Sequence, residues 1–462
     1  TVLAAIERAI DNLMKNWPIN DSNPFFSSNP DVSGLSHGIM IIDVLERLHS
    51  LTANEKFLAY GLFLYERFSA SVLNEDAQLA KLLQLQLNLK GHGVHTYEHL
   101  RAVAFAYFAS QHPTLKEALA NFLKKIERTQ TPSGGAAGDE FIAGRMADAD
   151  DTGYEFCSLH ELMHGYATLV QYAGKGLYGD KAERILFNAA LGASHPESSS
   201  ICYLKTDNVF QLTGGKHGDT LDKHQTRYRY SPVHREAAVC CVPNAGRIFP
   251  YYVQHMWMKT DRGLAATLLG PSKVETTVNN CRVSIEAITE YPFGNKLNFN
   301  VQADKSMVFE IKIRKPKWVN TVKVSVPYTV EGEWIVISKN WNTVDSVQVI
   351  YDFSAAVKTV SNNKVFVEAG PLVYCLPAAG RPAITRTFSF GSLKEINYQS
   401  SNHINYKVSL QHPATIVAAN EIHMDMLNPE TGKWEKVRLV PMAGTILRRV
   451  AFELEKPSGV NN

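Results

Sequence analysis

The sequence predicts a multidomain α plus β protein, in which a helical part precedes an antiparallel β part. Apolar residues recur every three to four positions up to about residue 267, whereas beyond residue 268 they alternate with polar residues. Pairs of helices followed by short strands suggest, by analogy, an (α/α)6-toroid-type helical catalytic domain with antiparallel β-sandwich domains after it. Fewer helices are recognisable than a complete toroid requires, so we expect the toroid to be incomplete.

The helical part is divided by residues that interrupt helices. Pro113 and the Gly134-Gly135 pair separate successive helical patterns. Two long polar segments, residues 129–154 and 196–238, also lie between helices, and loops of such length are often functional. Helical patterns cover residues 2–17, 41–48, 58–68, 77–90, 97–111, 115–128, 158–174, 181–194 and 245–260.

The second part has the period-two pattern of strands with one face in a core. Leu297, Phe299 and Val301, for example, alternate with polar residues. Similar patterns occur at residues 309–313, 322–326, 334–338, 346–351, 364–368, 372–376, 404–410, 414–425 and 435–454. The expected domains are a helical domain at residues 1–267, a β-sandwich at residues 268–382 and a C-terminal β-sandwich at residues 383–462.

Composition excludes some classes of partner. The 462 residues carry a formal net charge of +2, so no basic surface for nucleic acid is expected. No apolar run approaches the roughly 18 residues of a membrane-spanning helix, so we expect no membrane span. The chain begins at Thr1, and a removed signal peptide would make it periplasmic or secreted; otherwise we expect it in the cytoplasm. Formation of a homodimer is left open.

Two adjacent cysteines, Cys240 and Cys241, are the most informative feature of the sequence. A disulfide between neighbours is strained, so the pair is better suited to binding one soft metal ion as thiolates. Glu155 and Cys157 supply two more ligands and complete a set that zinc binds tetrahedrally. Both pairs precede predicted helices, whose N-termini favour anions. The alternative is that these cysteines are buried residues of a helical core.

Other side chains offer acid–base and binding chemistry. Glu140 lies in the acidic loop at residues 138–142, where a carboxylic acid could protonate a leaving group if burial raised its pKa. The alternative is a solvated loop carboxylate. His37 and His95 lie near predicted helix starts and are either ligands or capping and core residues. Tyr203 could stack on a sugar face or pack in a core.

A rival metal site lies on the helix predicted at residues 158–174. His160, Glu161 and His164 match the His-Glu-x-x-His pattern of zinc peptidases, in which the histidines bind the metal and the glutamate is the base. The pattern is weak on its own, because a peptidase needs a third ligand further along the chain. A zinc peptidase is therefore one alternative function.

The motifs together resemble, in order, those of glycoside hydrolase family 127, the β-L-arabinofuranosidase-like enzymes, formerly a domain of unknown function. Glu-Phe-Cys at residues 155–157 is similar to the family's Glu-x-Cys motif. Cys-Cys-Val-Pro-Asn at residues 240–244 is similar to its Cys-Cys-Pro-Pro-Asn motif, with Val242 in place of the first proline. Further similar segments lie at residues 36–41, 92–95, 138–141, 150–154 and 370–374.

This resemblance implies a metal-assisted glycosidase. Glu155, Cys157, Cys240 and Cys241 would hold Zn2+, Cys240 would be the nucleophile, and Glu140 would be the general acid/base. A thiolate then replaces one of the two carboxylates that retaining glycosidases use. The implied function is that of a retaining exo-glycosidase, which hydrolyses plant-type glycans or oligosaccharides through a thioglycosyl intermediate. A glycan-binding protein with a structural zinc is the other alternative.

The resemblance also implies which residues contact the sugar. His37 and His95 would bond its hydroxyl groups, and Tyr154 and Tyr203 are the expected aromatic contacts. Because Asp139 precedes Glu140 directly, a slip of one residue in the comparison would make Asp139 the acid.

Overall fold

The computed structural model describes residues 1–29, 34–234, 240–360, 363–401 and 404–455. The end of the predicted loop at 196–238, from residue 235 on, and the end of the predicted third domain, from residue 456 on, lie outside the described residues. Residue contacts group the chain into two compact units: unit 1 is Thr1–Gln130 with Ala136–Ala147, and unit 2 is Thr131–Gly135 with Asp148–Asn462. Neither unit ends at residue 267 or 382, so the three-domain division stays a prediction.

Unit 1 is built from helices. Thr1 caps the first of them, because its Oγ1 accepts a hydrogen bond from the backbone N–H of Ala4 at 3.3 Å. Pro113 begins the last of them, at a position where its missing N–H costs nothing. The helices are α1 (Val2–Asn16), α2 (Ile42–Thr52), α3 (Lys56–Ala70), α4 (Leu79–Leu82), α5 (Gly93–Ser110) and α6 (Pro113–Glu127), with a 3₁₀ helix at Ser36–Ile41.

Helix α5 is packed closely against its neighbours in unit 1. Gly61 of α3 permits this, since a Cβ atom there would lie 2.5 Å from an atom of the Phe105 ring. Most of α5 is buried as a result. His95, Glu98 and His99 recur on α5 at spacings of three and four residues, so they share one face of a rigid helix.

The helix predicted at residues 77–90 is largely absent from the structure, which has only α4 in that stretch. The cause is the carboxylate of Asp76, which accepts hydrogen bonds from the backbone N–H groups of Lys90 at 2.9 Å and Gly91 at 2.7 Å. These bonds offer the backbone an alternative to the helical ladder. The chain therefore forms a loop that leads into α5.

Unit 2 contains the remaining helices: α7 (Phe156–Ala173), α8 (Leu177–Arg184), α9 (Leu191–Ala193) and α10 (Cys241–Gln254), with a π-helical segment at Ile185–Ala190 and 3₁₀ turns at Lys216–Gly218 and Met442–Gly444. Helix α7 packs against α10. The pattern predicted as helical up to residue 260 ends at Gln254, and Trp257 begins a strand instead. Among the helices of the described residues, none is long and apolar enough to cross a membrane.

Five short strands surround helix α7 in the sequence: β1 (Tyr154–Glu155), β2 (Ile201–Cys202), β3 (Leu204–Lys205), β4 (Gln211–Leu212) and β5 (Tyr230–Ser231). Strand β1 pairs with β3 in antiparallel register, which fixes the chain just before α7. Strands β2 and β5 belong to a sheet that also contains two later strands.

The next ten strands form two five-stranded sheets that share one hydrophobic core cluster. Leu297, Phe299 and Val301 point into that cluster, as their alternation predicted. The strands are β6 (Trp257–Thr260), β7 (Gly263–Ala266), β8 (Ser272–Val278), β9 (Cys281–Thr289), β10 (Lys296–Ala303), β11 (Met307–Arg314), β12 (Thr321–Val324), β13 (Thr329–Glu331), β14 (Trp334–Trp341) and β15 (Val344–Asp352). The sheet orders are β12-β15-β10-β9-β8 and β13-β14-β11-β7-β6.

The last strands include a closed barrel. Its six members pair in the ring β17-β26-β21-β23-β24-β18, which returns to β17, so it draws strands from both sides of residue 382. The strands are β16 (Ala356–Val360), β17 (Lys364–Ala369), β18 (Leu372–Ala378), β19 (Gly380–Thr387), β20 (Lys394–Ser400), β21 (Lys407–Val408), β22 (Thr415–Ala418), β23 (Glu421–Asn428), β24 (Lys433–Pro441), β25 (Leu447–Arg449) and β26 (Ala451–Leu454).

A buried ion-pair network joins helix α8 to strand β11 in unit 2. The side chain of Arg314 is fully buried and contacts the carboxylates of Asp180 and Glu183. Glu183 is also fully buried, and it accepts a hydrogen bond from the backbone N–H of Leu269 at 2.7 Å. Because each buried charge has an opposite charge beside it, the network is stable only when all its members are present.

Candidate functional site

The cysteine motifs meet in unit 2 where two helices begin. Glu155 ends strand β1, is held by pairing with Leu204, and directly precedes α7. Cys157 lies in the first turn of α7. Cys240 precedes α10, and Cys241 is its first residue. Because α7 and α10 pack together, their N-termini bring the four potential ligands to one place.

The four ligand atoms lie close enough to share one ion. One carboxylate oxygen and three sulfurs, from Glu155, Cys157, Cys240 and Cys241, all lie within 4.8 Å of one another. The Sγ of Cys241 is 3.2 Å from that of Cys157 and 3.4 Å from the carboxylate of Glu155, and the Sγ of Cys240 is 3.8 Å from the same carboxylate. Three of the residues are buried, whereas Cys240 is exposed.

The electrostatics of this cluster fit a bound cation. Hydrogen bonds from Cys157 and Cys241 lower the pKa of Cys240 to about 2, whereas burial and the charge of Cys240 raise the pKa of Glu155 to about 8. Burial also raises the pKa of Cys241. The four groups can therefore all be ionised together only beside a cation. The Oε2 atom of Glu155 is buried with no hydrogen-bond partner in the described part of the chain, as expected of a metal ligand.

Two neighbours contact the sulfurs directly. Asn244 of α10 donates its side-chain N–H to the Sγ of Cys157 at 3.1 Å. The hydroxyl of Tyr203 lies 3.4 Å from the Sγ of Cys240. The guanidinium of Arg227 lies over the Tyr203 ring, 5.1 Å from its centre, in a cation–π contact. The ring of Tyr203 is buried, so it cannot stack on a sugar, and its hydroxyl is the group that faces the cluster.

Tyr154 does not have the position expected of a sugar contact. Adjacent residues of a strand point to opposite sides, so Tyr154 points away from the cluster into which Glu155 projects. Its ring is buried and packs against Gly135, where a Cβ atom would lie 2.3 Å from the ring. The alternation of β1 places the side chain of Tyr154 in the core, and its binding of substrate stays a prediction.

Glu140 and Asp139 have different environments in unit 1. The side chain of Asp139 is largely buried and forms an ion pair with Arg145. Glu140 has a left-handed backbone with φ of 73°, and its carboxylate lies 3.2 Å from Nε2 of His92. This backbone is held by the N–H of Gly93, which donates to the carbonyl of Glu140 at 2.8 Å. Glu140 therefore has the more accessible carboxylate, next to His92 of the segment at residues 92–95.

The two predicted histidines also lie in unit 1, near one another. The rings of His37 and His95 are 4.0 Å apart between centroids, and those of His92 and His95 are 4.6 Å apart. Nδ1 of His37 is 2.7 Å from a carboxylate oxygen of Glu98, and Nδ1 of His95 is 3.2 Å from one of Glu75. His92 lies in the same sequence segment as His95, but its contact with Glu140 was not predicted, because the two residues are 48 positions apart.

Comparison of the sequence with models of known protein families identifies the family to which these features belong. Residues 31–254 match the family model described as "Beta-L-arabinofuranosidase, GH127 catalytic domain". Residues 263–353 match the corresponding GH127 middle domain. The chain belongs to glycoside hydrolase family 127. As a member of this family it is a glycoside hydrolase, and its substrate is a glycan. A search of curated proteins found no match.

Solved structures of family 127 share the fold. A GH127 β-L-arabinofuranosidase from Geobacillus stearothermophilus T6 aligns over 90% of this chain and 72% of its own, with a TM-score of 0.68 and 16% identity. A GH127 β-arabinofuranosidase aligns over 90% and 68%, with a TM-score of 0.64 and 17% identity. A protein described as a glycoside hydrolase aligns over 93% and 77%, with a TM-score of 0.72 and 15% identity.

The rival motif on α7 does not form a comparable site in this family 127 protein. His160 is fully buried, and its ring packs against that of Tyr251 at 5.1 Å between centroids. His164 packs against the same tyrosine at 4.2 Å. Within the residues that the structure describes, His160, Glu161 and His164 are not among the groups whose ligand atoms converge as a metal requires. The peptidase alternative therefore has no structural support.

Proposed function

We propose that this family 127 protein is a retaining, exo-acting glycosidase of the β-L-arabinofuranosidase type. The observation that carries the proposal is the convergence of Glu155, Cys157, Cys240 and Cys241, in which Cys240 is the one exposed member. A reactive cysteine needs both a stabilised thiolate and access to substrate, and Cys240 combines the two. We assign Cys240 as the nucleophile and Glu140 as the general acid/base.

We propose that the metal of this cluster is zinc. Three sulfurs and one carboxylate oxygen make a set that zinc binds in tetrahedral geometry. When bound, zinc would keep the cysteines as thiolates at neutral pH and fix the direction of their sulfur atoms. Asn244 supports the set, because its N–H on the sulfur of Cys157 orients that ligand.

The proposed reaction has two steps, and residues of this chain carry out both. The thiolate of Cys240 attacks the anomeric carbon, a C–S bond forms, and the C–O bond to the leaving group breaks as Glu140 gives that oxygen its proton. Glu140 then removes a proton from water, the water oxygen attacks the anomeric carbon, and the C–S bond breaks to restore the thiolate. Two successive inversions retain the configuration of the sugar.

The assignment of the acid follows from the surroundings of the two neighbouring carboxylates. Asp139 is held by Arg145, and an arginine beside a carboxylate favours its ionised form, which makes a poor acid. Glu140 lies beside His92, which can share its proton. We therefore propose Glu140 as the acid/base and His92 as the residue that contacts the Glu140 carboxylate during the reaction.

The proposed substrate is a terminal L-arabinofuranose of a plant-type glycan. Two of the similar solved structures are β-arabinofuranosidases, and this supports arabinofuranose as the sugar for the present chain. His37, His95 and the hydroxyl of Tyr203 are the proposed partners of sugar hydroxyl groups. We further propose that the helices belong to an (α/α)6 toroid and that the two sheets with a common core form a β-sandwich.

Substitution of the nucleophile tests this function. Cys240→Ser should lower kcat on an aryl β-L-arabinofuranoside by about 10⁴-fold or more, because a serine hydroxyl at this position lacks a base to activate it. Cys241→Ser should lose metal as well as activity, which elemental analysis of the purified protein would detect. NMR of the first sugar released should show retained anomeric configuration.

Cys281→Ser is the matched control, since Cys281 is a buried cysteine of strand β9 outside the cluster. It should keep both its metal content and its activity. Turnover by Cys240→Ser at a rate near that of the unmodified enzyme, or release of the inverted sugar, would exclude Cys240 as nucleophile.

A further inference from the structure

Two buried carboxylates lie behind the histidines that we propose as sugar contacts. Glu98 is on α5 and reaches Nδ1 of His37 at 2.7 Å. Glu75 precedes α4 and reaches Nδ1 of His95 at 3.2 Å. The side chains of both glutamates are about one-tenth exposed, whereas that of His37 is 47% exposed. The ring of His37 is thus the outer member of its pair, whereas the side chain of His95 is 16% exposed and lies nearly as deep as Glu75.

A fifth residue connects the two pairs. His99 is completely buried, and its two ring nitrogens face the two carboxylates. Its Nδ1 lies 3.8 Å from the second oxygen of Glu75, and its Nε2 lies 3.6 Å from the Glu98 oxygen that also contacts His37. The residues therefore form one continuous series, in the order His95, Glu75, His99, Glu98 and His37.

We propose that Glu75 and Glu98 are positioning residues that set the tautomer and orientation of His95 and His37, and that His99 couples the two carboxylates. This inference rests on the proposed function, because it assumes that these histidines meet the sugar. A neutral imidazole has one N–H and one acceptor nitrogen, and the group bonded to one nitrogen decides the role of the other. A carboxylate accepts the Nδ1–H, so Nε2 of each ring becomes an acceptor for a sugar hydroxyl.

The charges around the series agree with this arrangement. Burial alone would raise the pKa of Glu75, but the hydrogen bond from His95, the charge of His99 and a hydrogen bond from Ser36 outweigh it and bring the pKa to about 2. The pKa of Glu98 is lowered in the same way, with His37 as the main hydrogen-bond donor. Both glutamates are then ionised acceptors at neutral pH.

Histidine tautomers give a direct test that does not depend on turnover. Long-range ¹H–¹⁵N spectra of protein labelled with ¹⁵N-histidine distinguish the Nδ1–H from the Nε2–H form, and His37→Gln and His95→Gln variants assign the two signals. We expect the Nδ1–H form for both rings. Glu98→Gln should change the signal of His37, and Glu75→Gln that of His95, because a side-chain amide can also donate to the ring.

Kinetics give the second readout. Each single variant should lower kcat/KM on the furanoside by about 10- to 100-fold, as loss of a carboxylate partner does for other oriented histidines. The double variant should lose less than the product of the two single losses, because His99 couples the sites. Glu117→Gln, an exposed residue of α6 in the same unit, is the control and should leave spectra and kinetics unchanged.

The outcomes separate the two proposals. Nε2–H forms of His37 and His95, or Glu→Gln variants with unchanged tautomers and kcat/KM within about twofold of the parent, would overturn the positioning role. A parent protein with the expected tautomers that hydrolyses no furanoside would overturn the proposed function and leave the orientation of the rings established. Variants that unfold are recognised by circular dichroism, and the tautomers of the parent protein then decide the question alone.

Discussion

Asn244 donates a hydrogen bond to the sulfur of Cys157 at 3.1 Å, although the two residues come from different helices. Asn244 lies in the first turn of α10 and three residues after Cys241, so it shares a helix face with one proposed ligand while it bonds another. An N–H donor to sulfur stabilises the thiolate and fixes its direction. The asparagine at the end of the Cys-Cys motif thereby ties the two ligand pairs together.

Asn244→Ala should weaken metal binding. Loss of the donor to the Cys157 sulfur is expected to lower the affinity for zinc by about 10- to 100-fold, the usual effect of removing a hydrogen bond to a metal ligand. Competition with a chromogenic chelator measures this without any substrate. Asn300→Ala, an exposed position of strand β10, is the control; equal affinities of the two variants would show that Asn244 does not support the site.

Tyr203→Phe should slow the enzyme without unfolding it. The tyrosine hydroxyl lies 3.4 Å from the Sγ of Cys240, and a hydrogen bond to a charged partner contributes about 1.5–3 kcal/mol. We expect kcat/KM to fall about tenfold or more, with little change in melting temperature because the ring stays in place. Tyr328→Phe removes a hydroxyl from an exposed residue and is the control. Unchanged kinetics in Tyr203→Phe would show that the Tyr203 hydroxyl does not contribute to catalysis.

Arg314→Met should destabilise unit 2. It leaves Glu183, which is fully buried, without its cation, and an uncompensated buried charge costs about 3–5 kcal/mol. The midpoint of denaturant unfolding should fall accordingly. Lys273→Met is the control, because it breaks an ion pair with Glu275 in which both side chains are more than half exposed, and such pairs contribute little to stability. If both variants lost the same stability, burial of the network would not be the cause.

Glu75 should make the stability of unit 1 depend on pH in the acid range. Its pKa is lowered from 4.5 to about 2 in the folded chain, so it stabilises the fold fully above about pH 4.5 and loses this contribution as the pH falls toward 2. The groups that face it are His95, His99 and Ser36. Glu75→Gln should therefore be less stable than the parent by about 2–3 kcal/mol at pH 6, and the gap should close at low pH. A gap independent of pH would contradict this.

The sequence was sufficient to predict the groups that could bind a metal ion, because local motifs contain them. Glu155 and Cys157 are two residues apart, Cys240 and Cys241 are adjacent, and each pair begins a helix, so little had to be known about the rest of the fold. The structure brings them within reach of one another as predicted. Tyr154 differs from these residues, because it is adjacent to Glu155 on a strand and its side chain therefore points to the opposite side.

Contacts between distant residues were beyond the sequence analysis. Glu75 lies in a loop just before residues 77–90, where the apolar pattern predicted a helix. Its partner His95 is 20 residues away. The spacing of His95, Glu98 and His99 on one helix was visible, but which carboxylate meets which ring depends on how α5 packs. The closed barrel that contains β17, β18 and four later strands could not be predicted either, since strand patterns do not show which strands pair.

Capture of a sugar on the enzyme is the most direct test of the central claim that Cys240 is the nucleophile. In Glu140→Gln, an activated aryl furanoside needs no acid for the first step, but the second step lacks its base, so the glycosyl-enzyme should accumulate. Rapid acid quench and peptide mapping by mass spectrometry should then find one added pentosyl group on the peptide that contains Cys240. A pentosyl group on another residue, or continued turnover of this variant with no adduct at any time, would contradict the account.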